Sequence, residues 1–383
     1  MENNKVIIAH LMADEKFVDS VISLFDSVDF IENIYYFKLS KRKKKLTKHE
    51  NRFIAKFSFS EIIDEIIEMN VSVLFLHSKC NIPTRLILKI PRNIKIFWRT
   101  FGYDIYSDTS FLPFDRFPVR MKLYRPHTRE YILMKFPYYF LRKIYAFYEN
   151  FIMYPRFMER VDYVSTVLSN ELFLLKKCPF IQAELVDFRP VANIKRVNNE
   201  KDFNLDSDCL KILLGNSAVP TNNHLDILDV IKHFSFAPQD KIYLPLSYGS
   251  VSYRNNLIKY GEKSTLNLNY LIDFIPYPEY VATIEQCSVG IFGHMRQQAI
   301  GNIKKLLING AKVFLYKDSV TYKYYKEIGI SVFSIEDELT YDNMKTPLDT
   351  ESRRKNIDLI RESYSFDLAK RKLESFLNEF IIE

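Results

Sequence analysis

Short apolar runs and amphipathic stretches take turns along this chain, and that order leaves few folds open. "KVIIAHL" reads as a buried strand, "EKFVDSVISLFDSV" as a helix by its 3.6-residue period, and "IENIYYFKL" as a second strand. "SFSEIIDEIIEM" predicts a helix opened by a serine cap with Glu in its first turn, and "VSVLFLHS" is apolar on both faces. "RLILKI", "NIKIFWRTF" and "DYVSTVL" continue the series as strands. Strands with helices between them pair in parallel, so residues 1–200 are expected to form one α/β domain.

The polar, weakly patterned stretch "PVANIKRVNNEKDFNLDSD" reads as a linker. After it the alternation restarts with "CLKILLG", "NNHLDILDVIKHF", "DKIYLPLSY", "NLNYLIDFI", "PEYVATIEQC", "SVGIFGH", "AIGNIKKLLING" and "AKVFLYK". Residues 201–383 therefore form a second domain, whose terminal amphipathic helix "FDLAKRKLESFLNEFIIE" is expected to pack back on the first. Two Rossmann-like, doubly wound domains place their ligand-binding strand ends towards a common cleft. This is the GT-B architecture of two-domain nucleotide-sugar glycosyltransferases, an analogy that does not by itself establish an activity.

At 383 residues, with 47% hydrophobic and 26% charged, the chain is an ordinary globular one, and disorder is excluded. Cys80, Cys178, Cys209 and Cys287 form no C-x-x-C pair, which argues against a zinc site or a disulfide framework. The opening "MENNKVIIAHLMADEKF" has charge where a signal peptide needs an apolar core, and no run approaches the ~18 apolar residues of a membrane span. The expectation is a cytoplasmic protein that is not integral to a membrane. Basic residues are concentrated in two places. Residues 38–52 hold eight Lys/Arg against one Glu, and residues 120–160 mix nine Lys/Arg with twelve Tyr or Phe. A charge run is usually a solvated loop. The second stretch has the composition of a segment at a lipid headgroup boundary or against a polyanionic acceptor. Nucleic acid is not expected, because no recognisable nucleic-acid module accompanies the basic residues.

Gly215-Asn216-Ser217-Ala218-Val219-Pro220-Thr221-Asn222-Asn223-His224 lies between an apolar strand and an amphipathic helix. A strand that ends in small polar residues before a helix exposes backbone N–H groups suited to a phosphate. Arg296, Gln297 and Gln298 stand at the mouth of another helix, with Gly301 allowing close approach. An arginine fork beside helix N–H groups can clamp a diphosphate. The loop holding Tyr248 and Gly249 also follows a strand, so three polar loops converge on one edge. A fourth, at Phe274, Ile275 and Pro276, offers backbone groups and an apolar surface to a flat base, although it also reads as an ordinary helix start.

These segments carry a resemblance. "ILLGNSAVPTNNHLDIL", "IYLPLSYG", "FIPYPEYVATIEQCSVGIF", "RQQAIGNIKKLLINGAKVFLYKDS" and "FWRTFGYDIY" resemble the bacterial 4-acetamido-4,6-dideoxygalactose (Fuc4NAc) transferases, the 4-alpha-L-fucosyltransferase family of enterobacterial common antigen assembly. The resemblance implies an enzyme that moves a sugar from a dTDP donor to a polyprenyl-diphosphate-linked saccharide in surface polysaccharide synthesis. It places Gly215, Asn216, Ser217, Asn222, Asn223, His224, Tyr248, Gly249, Arg296, Gln297, Gln298 and Gly301 in the donor site.

Sugar transfer requires a stabilised leaving diphosphate. With no Asp-x-Asp metal motif in a suitable loop, Arg296 and helix N-termini are expected to supply it, without metal or other cofactor. An inverting reaction needs a general base from the first domain. His10 and Asp14 follow the first strand, and Asp104 lies in "WRTFGYDIY" after a later one. His10 also reads as a satisfied core histidine and Asp14 as a helix cap, so Asp104 is the strongest candidate, and it could equally orient the acceptor hydroxyl. A lipid-linked acceptor would explain the basic segments. Lys41, Arg42, Lys43, Lys44, Lys45, Arg142 and Lys143 are the expected peripheral contacts with the inner face of the cytoplasmic membrane. A transferase using UDP or another nucleotide on a different surface glycan, and a non-catalytic nucleotide-sugar or polyanion-binding protein, are the alternative readings.

Overall fold

A computed structural model describes residues 6–12, 17–37, 53–54, 58–79, 82–106, 123–134, 152–188 and 209–379. The chain divides into two compact units, Met1–Phe117 with Leu141–Arg196 and Ser363–Glu383, and Pro118–Phe140 with Val197–Glu362.

The first unit holds a seven-stranded sheet of β1 (Val6–Met12), β2 (Ile31–Phe37), β3 (Phe53–Ile54), β4 (Val73–His77), β5 (Lys95–Arg99), β6 (Tyr163–Ser165) and β7 (Glu184–Leu185). Their order is β3-β2-β1-β4-β5-β6-β7, and every pairing is parallel. The direction of winding reverses between β1 and β4, which makes that gap the switch point of the sheet. The continuous apolar runs are explained by burial on both faces: every residue of β4 is buried, as are four of the five in β5. Ser58 caps the helix Phe59–Glu68 by accepting from the Glu61 N–H at 3.2 Å. "RLILKI", expected as a strand, is instead the short helix Thr84–Ile87. A short apolar run cannot separate strand from buried helix, and the crossover that joins parallel β4 to β5 is usually helical. The terminal helix Phe366–Leu377 belongs to this unit, with Phe376 edge-on to Phe97 at 5.0 Å and to Tyr163 at 5.2 Å.

The second unit repeats the plan with β8 (Lys211–Leu214), β9 (Lys241–Pro245), β10 (Leu268–Leu271), β11 (Val289–Phe292), β12 (Lys312–Leu315) and β13 (Phe333–Ser334). The order is β10-β9-β8-β11-β12-β13, all parallel, with the switch point between β8 and β11. Its core gathers Ile212, Leu214, Ile227, Ile242, Leu244, Tyr253, Ile291 and Phe314.

The boundary at residue 200 is not where the units part. Pro118–Phe140 belongs to the second unit. Within it, the helix Pro126–Met134 docks on the helix His224–Ile231. The Asp226 carboxylate accepts from the His127 N–H (2.9 Å), the Thr128 N–H (3.1 Å) and Thr128 Oγ1 (2.7 Å). The Arg125 guanidinium lies 3.9 Å from the Tyr316 ring centre and pairs with Glu336 at 2.6 Å. This also corrects the lipid-boundary reading of residues 120–160 where they are described. Tyr124, Tyr131, Tyr154 and Phe157 are buried, so these aromatics serve the cores of the units rather than a headgroup layer. Lys41, Arg42, Lys43, Lys44, Lys45, Arg142 and Lys143 lie outside the described residues, as does the expected linker. Among the described residues no helix is long and apolar enough to cross a membrane.

Candidate active site

The site is built around the switch point of the second sheet. Gly215 follows β8 with φ +68°, a conformation that side chains disfavour, and its N–H donates to Ile291 O at 2.9 Å. A Cβ there would lie 2.4 Å from His224 Nε2, so glycine is needed for space as well as for torsion. Beyond it, one chain of side chains links three loops. Asn216 Nδ2 donates to Tyr248 Oη at 2.9 Å, Gln298 Nε2 to Asn216 Oδ1 at 2.8 Å, and Thr221 Oγ1 to Gln298 Oε1 at 2.8 Å. The loops after β8, β9 and β11 are thereby held together.

The backbone reinforces the junction. Ala218 N–H donates to Tyr248 O and Ser250 N–H to Ala218 O, both at 2.8 Å. Gly249 sits between them at φ +118°, where a Cβ would come within 2.6 Å of the Ala218 carbonyl. Only glycine lets these loops approach so closely.

Asn222, Asn223 and His224, expected at the donor, are fully buried, as is Ser217. Asn222 Nδ2 donates to Ser217 O (2.9 Å), to Ser217 Oγ (3.2 Å) and to Val219 O (3.2 Å). Asn223 takes the left-handed conformation (φ 52°), accepts from the Arg125 N–H at 2.9 Å, and donates to Gly293 O at 2.6 Å and Leu123 O at 3.1 Å. The two amides shape the loop with their side chains, and the start of the helix is engaged by residues 123–128 rather than left bare. Burial pushes the His224 pKa down to about 3, so its ring is neutral, and neither ring nitrogen has a hydrogen-bond partner among the described residues. His294, just past the end of β11, has the same properties among the described residues, with the Arg296 charge adding to the effect of burial.

The half-buried groups at this edge are Asn216, Arg296 and Gln297. Arg296 Nη1 donates to Gln297 O at 3.4 Å. Ala299 (φ 58°) turns the chain into the helix Ile300–Ile308, where Gly301 is exposed and a Cβ would meet nothing within 4 Å. Ile275 is half-buried, while Pro276 is exposed alongside Tyr248 (49%), Phe274 (57%) and Tyr277 (64%), which leaves an aromatic surface on the loops after β9 and β10. Thr221 was missed as a separate residue, although it lies inside the motif that drew attention to the loop.

At the carboxyl edge of the first sheet, His10 is not an available base. It is fully buried in β1, stacked on Tyr35 at 4.8 Å, with Nδ1 3.1 Å from His77 Nε2 and Nε2 3.1 Å from Asn33 Oδ1. Burial in the middle of a parallel sheet holds its pKa near about 3. Asp104 is also buried, and its carboxylate accepts from Ser78 Oγ (2.8 Å), Lys79 N–H (3.2 Å) and Phe101 N–H (2.8 Å). Burial pushes its pKa up to about 6 against the pull of these bonds. That value suits a general base, while the geometry ties the carboxylate to the loop after β4. Asp14 lies outside the described residues.

Two doubly wound domains, with polar loops linked at the switch point of the second, make up the GT-B fold. The chain belongs to the 4-alpha-L-fucosyltransferase family, glycosyl transferase group 56, whose model matches residues 139–366, more than half of its length. Solved structures share the fold along its whole length. A glycosyltransferase from Rickettsia africae superposes with a TM-score of 0.57 at 12% identity, covering 98% of each chain. Anabaena HepE in complex with UDP-glucose gives 0.62 at 9% identity, covering 98% of this chain and 100% of that one. Sucrose-phosphate synthase from Thermosynechococcus elongatus gives 0.61 at 8% identity, covering 99% and 100%.

Proposed function

We propose that this enzyme transfers a deoxyamino sugar of the Fuc4NAc type from a dTDP donor to a polyprenyl-diphosphate-linked saccharide at the inner face of the cytoplasmic membrane. The observation that carries the donor half is the chain Thr221–Gln298–Asn216–Tyr248, which gathers three loops at the switch point, where doubly wound sheets take nucleotides. Membership of the fucosyltransferase family and the UDP-glucose bound by HepE support a nucleotide-linked sugar. In this reading Arg296 and Gln297 hold the diphosphate, the exposed Phe274 and its neighbours Ile275 and Pro276 receive the base, and Gly301 leaves room at the helix mouth.

The leaving diphosphate is stabilised by the Arg296 fork, whose charge is in place before the bond breaks. Asp104, with its pKa raised to about 6, is the described first-unit group assigned to act on the acceptor hydroxyl. The acceptor and the basic segments, Lys41 to Lys45 and Arg142-Lys143, are assigned by resemblance and by charge.

Calorimetric titration of dTDP, UDP and GDP into wild type and Arg296→Ala tests the donor half. Tightest binding is expected for dTDP, weakened roughly 10- to 100-fold in the variant, as loss of a charge-assisted contact implies. Tighter binding of UDP would move the donor to the uridine series. Unchanged binding in the variant would remove Arg296 from the site.

A further inference from the structure

One row of side chains across the first sheet carries polar atoms that no other described residue answers. His77 and Arg99 are register partners on β4 and β5, and Arg99 and Ser165 on β5 and β6. The row closes the carboxyl edge beside the β1/β4 switch point. Register partners in a parallel sheet project to the same face. All three are buried, at 3%, 5% and 0% exposure. Yet His77 Nδ1, Arg99 Nε and Nη1, and Ser165 Oγ all lack a hydrogen-bond partner among the described residues.

Buried polar atoms are almost always paired, and a buried guanidinium is normally matched by a carboxylate. The carboxylate at hand, Asp104, is committed to Ser78, Lys79 and Phe101. Arg99 makes no ion pair among the described residues. Its contacts are aromatic instead, with the guanidinium carbon 4.8 Å from the Phe101 ring centre and 5.8 Å from that of Phe17, two rings that stack on each other at 4.8 Å. Stacking fixes the plane of the fork without using its N–H groups. Burial lowers the Arg99 pKa to about 9, so it remains charged at neutral pH. Two adjacent strands thus present a fixed cation and a hydroxyl, with no anion among the described residues to receive them, while neutral His77, whose Nε2–H donates to His10 Nδ1, keeps its Nδ1 as an acceptor.

We propose that Arg99 and Ser165 form a subsite that binds an oxyanion, phosphate or carboxylate, of the acceptor substrate. Its assignment to the acceptor rests on the transferase reading above, in which the second unit takes the donor; the oxyanion subsite stands without it. Phosphate would come from the lipid-linking diphosphate, and carboxylate from an acidic sugar of the acceptor.

The test is thermal unfolding of the full chain titrated with inorganic diphosphate or with glucuronate at constant ionic strength, for wild type, Arg99→Met, Arg99→Lys and Arg296→Ala. A saturable rise in Tm is expected in wild type and Arg296→Ala, absent in Arg99→Met and partly kept in Arg99→Lys. Response to diphosphate alone identifies the lipid linkage, and response to glucuronate alone an acidic sugar; either supports the subsite. A rise that survives in Arg99→Met but vanishes in Arg296→Ala places the anion at the donor loops and overturns the proposal. No response in wild type also overturns it and leaves Arg99 as a cation stacked on two rings. If Arg99→Met does not fold, the wild-type and Arg99→Lys titrations decide by the same readout. In turnover, Arg99→Lys should raise the acceptor KM about 10-fold with the donor KM unchanged; an unchanged acceptor KM would sink the assignment to the acceptor and leave the anion titration standing.

Discussion

Single residues at the donor edge do separable work. Gly249 exists for backbone proximity, since any Cβ would strike the Ala218 carbonyl at 2.6 Å. Gly249→Ala should therefore cost about 1–3 kcal/mol, the usual range for a strained backbone position. The same change should loosen the junction that carries Asn216 and Tyr248, so dTDP affinity should fall with stability. Urea unfolding and calorimetry on the same variant check both, and a variant as stable as wild type would remove the close approach from the account. Gly301 differs: nothing opposes a Cβ there, so a loss of binding in Gly301→Ala would come from the ligand's side. The motif around Gly215 was legible because strand, glycine and helix are adjacent in sequence. The task of Asn223 was not, because its partner Leu123 lies 100 residues away and no local pattern records it.

Among elements, the helix Pro126–Met134 shows how a segment can belong to a body other than the one its neighbours build. Asp226 supplies three of the bonds that hold its start, to the backbone of His127 and Thr128 and to the Thr128 hydroxyl. Asp226→Ala leaves those donors buried without an acceptor, a loss of about 1–3 kcal/mol. Amide exchange over residues 126–134 should speed up in the variant while the strands of the first unit keep their protection. Uniform protection across both units would show that Asp226 does not anchor this helix. The misread "RLILKI" teaches a related point: six residues of apolar run fit a strand or one buried helical turn equally well. The parallel pairing of β4 with β5 decides between them, and that pairing is a property of the sheet rather than of the run.

For the whole molecule, buried histidines set the response to acid. His10 in the first unit and His224 and His294 in the second have pKa values held near about 3 by burial, and His77 lies well below its ordinary value. Each is lower folded than unfolded, so its contribution is fully present above about 6.5 and is lost as pH falls towards 3, at up to about 1.4 kcal/mol per pH unit per histidine. Asp104 has the opposite sign. Raised to about 6, it favours the folded state most below its unfolded value and loses that contribution as pH rises through 6. Several histidines outweigh one carboxyl, so the urea midpoint should fall between pH 7 and pH 5, and His294→Gln should flatten that fall. A midpoint that does not move across this range would mean that the rings are protonated inside the folded protein.

The sequence by itself determined the alternation of elements, the two doubly wound sheets and the strand-end loops, because periodicity, caps and glycines act over a few residues. The tertiary structure decided what those patterns could not carry: which unit owns residues 118–140, that His10 is packed among rings, that Asn222 and Asn223 brace their own loop, and that Arg99 is buried beside two stacked aromatics with no counter-ion among the described residues. Each of these depends on partners distant in sequence, and burial and hydrogen-bond pairing are settled only when the sheets bring those partners into contact.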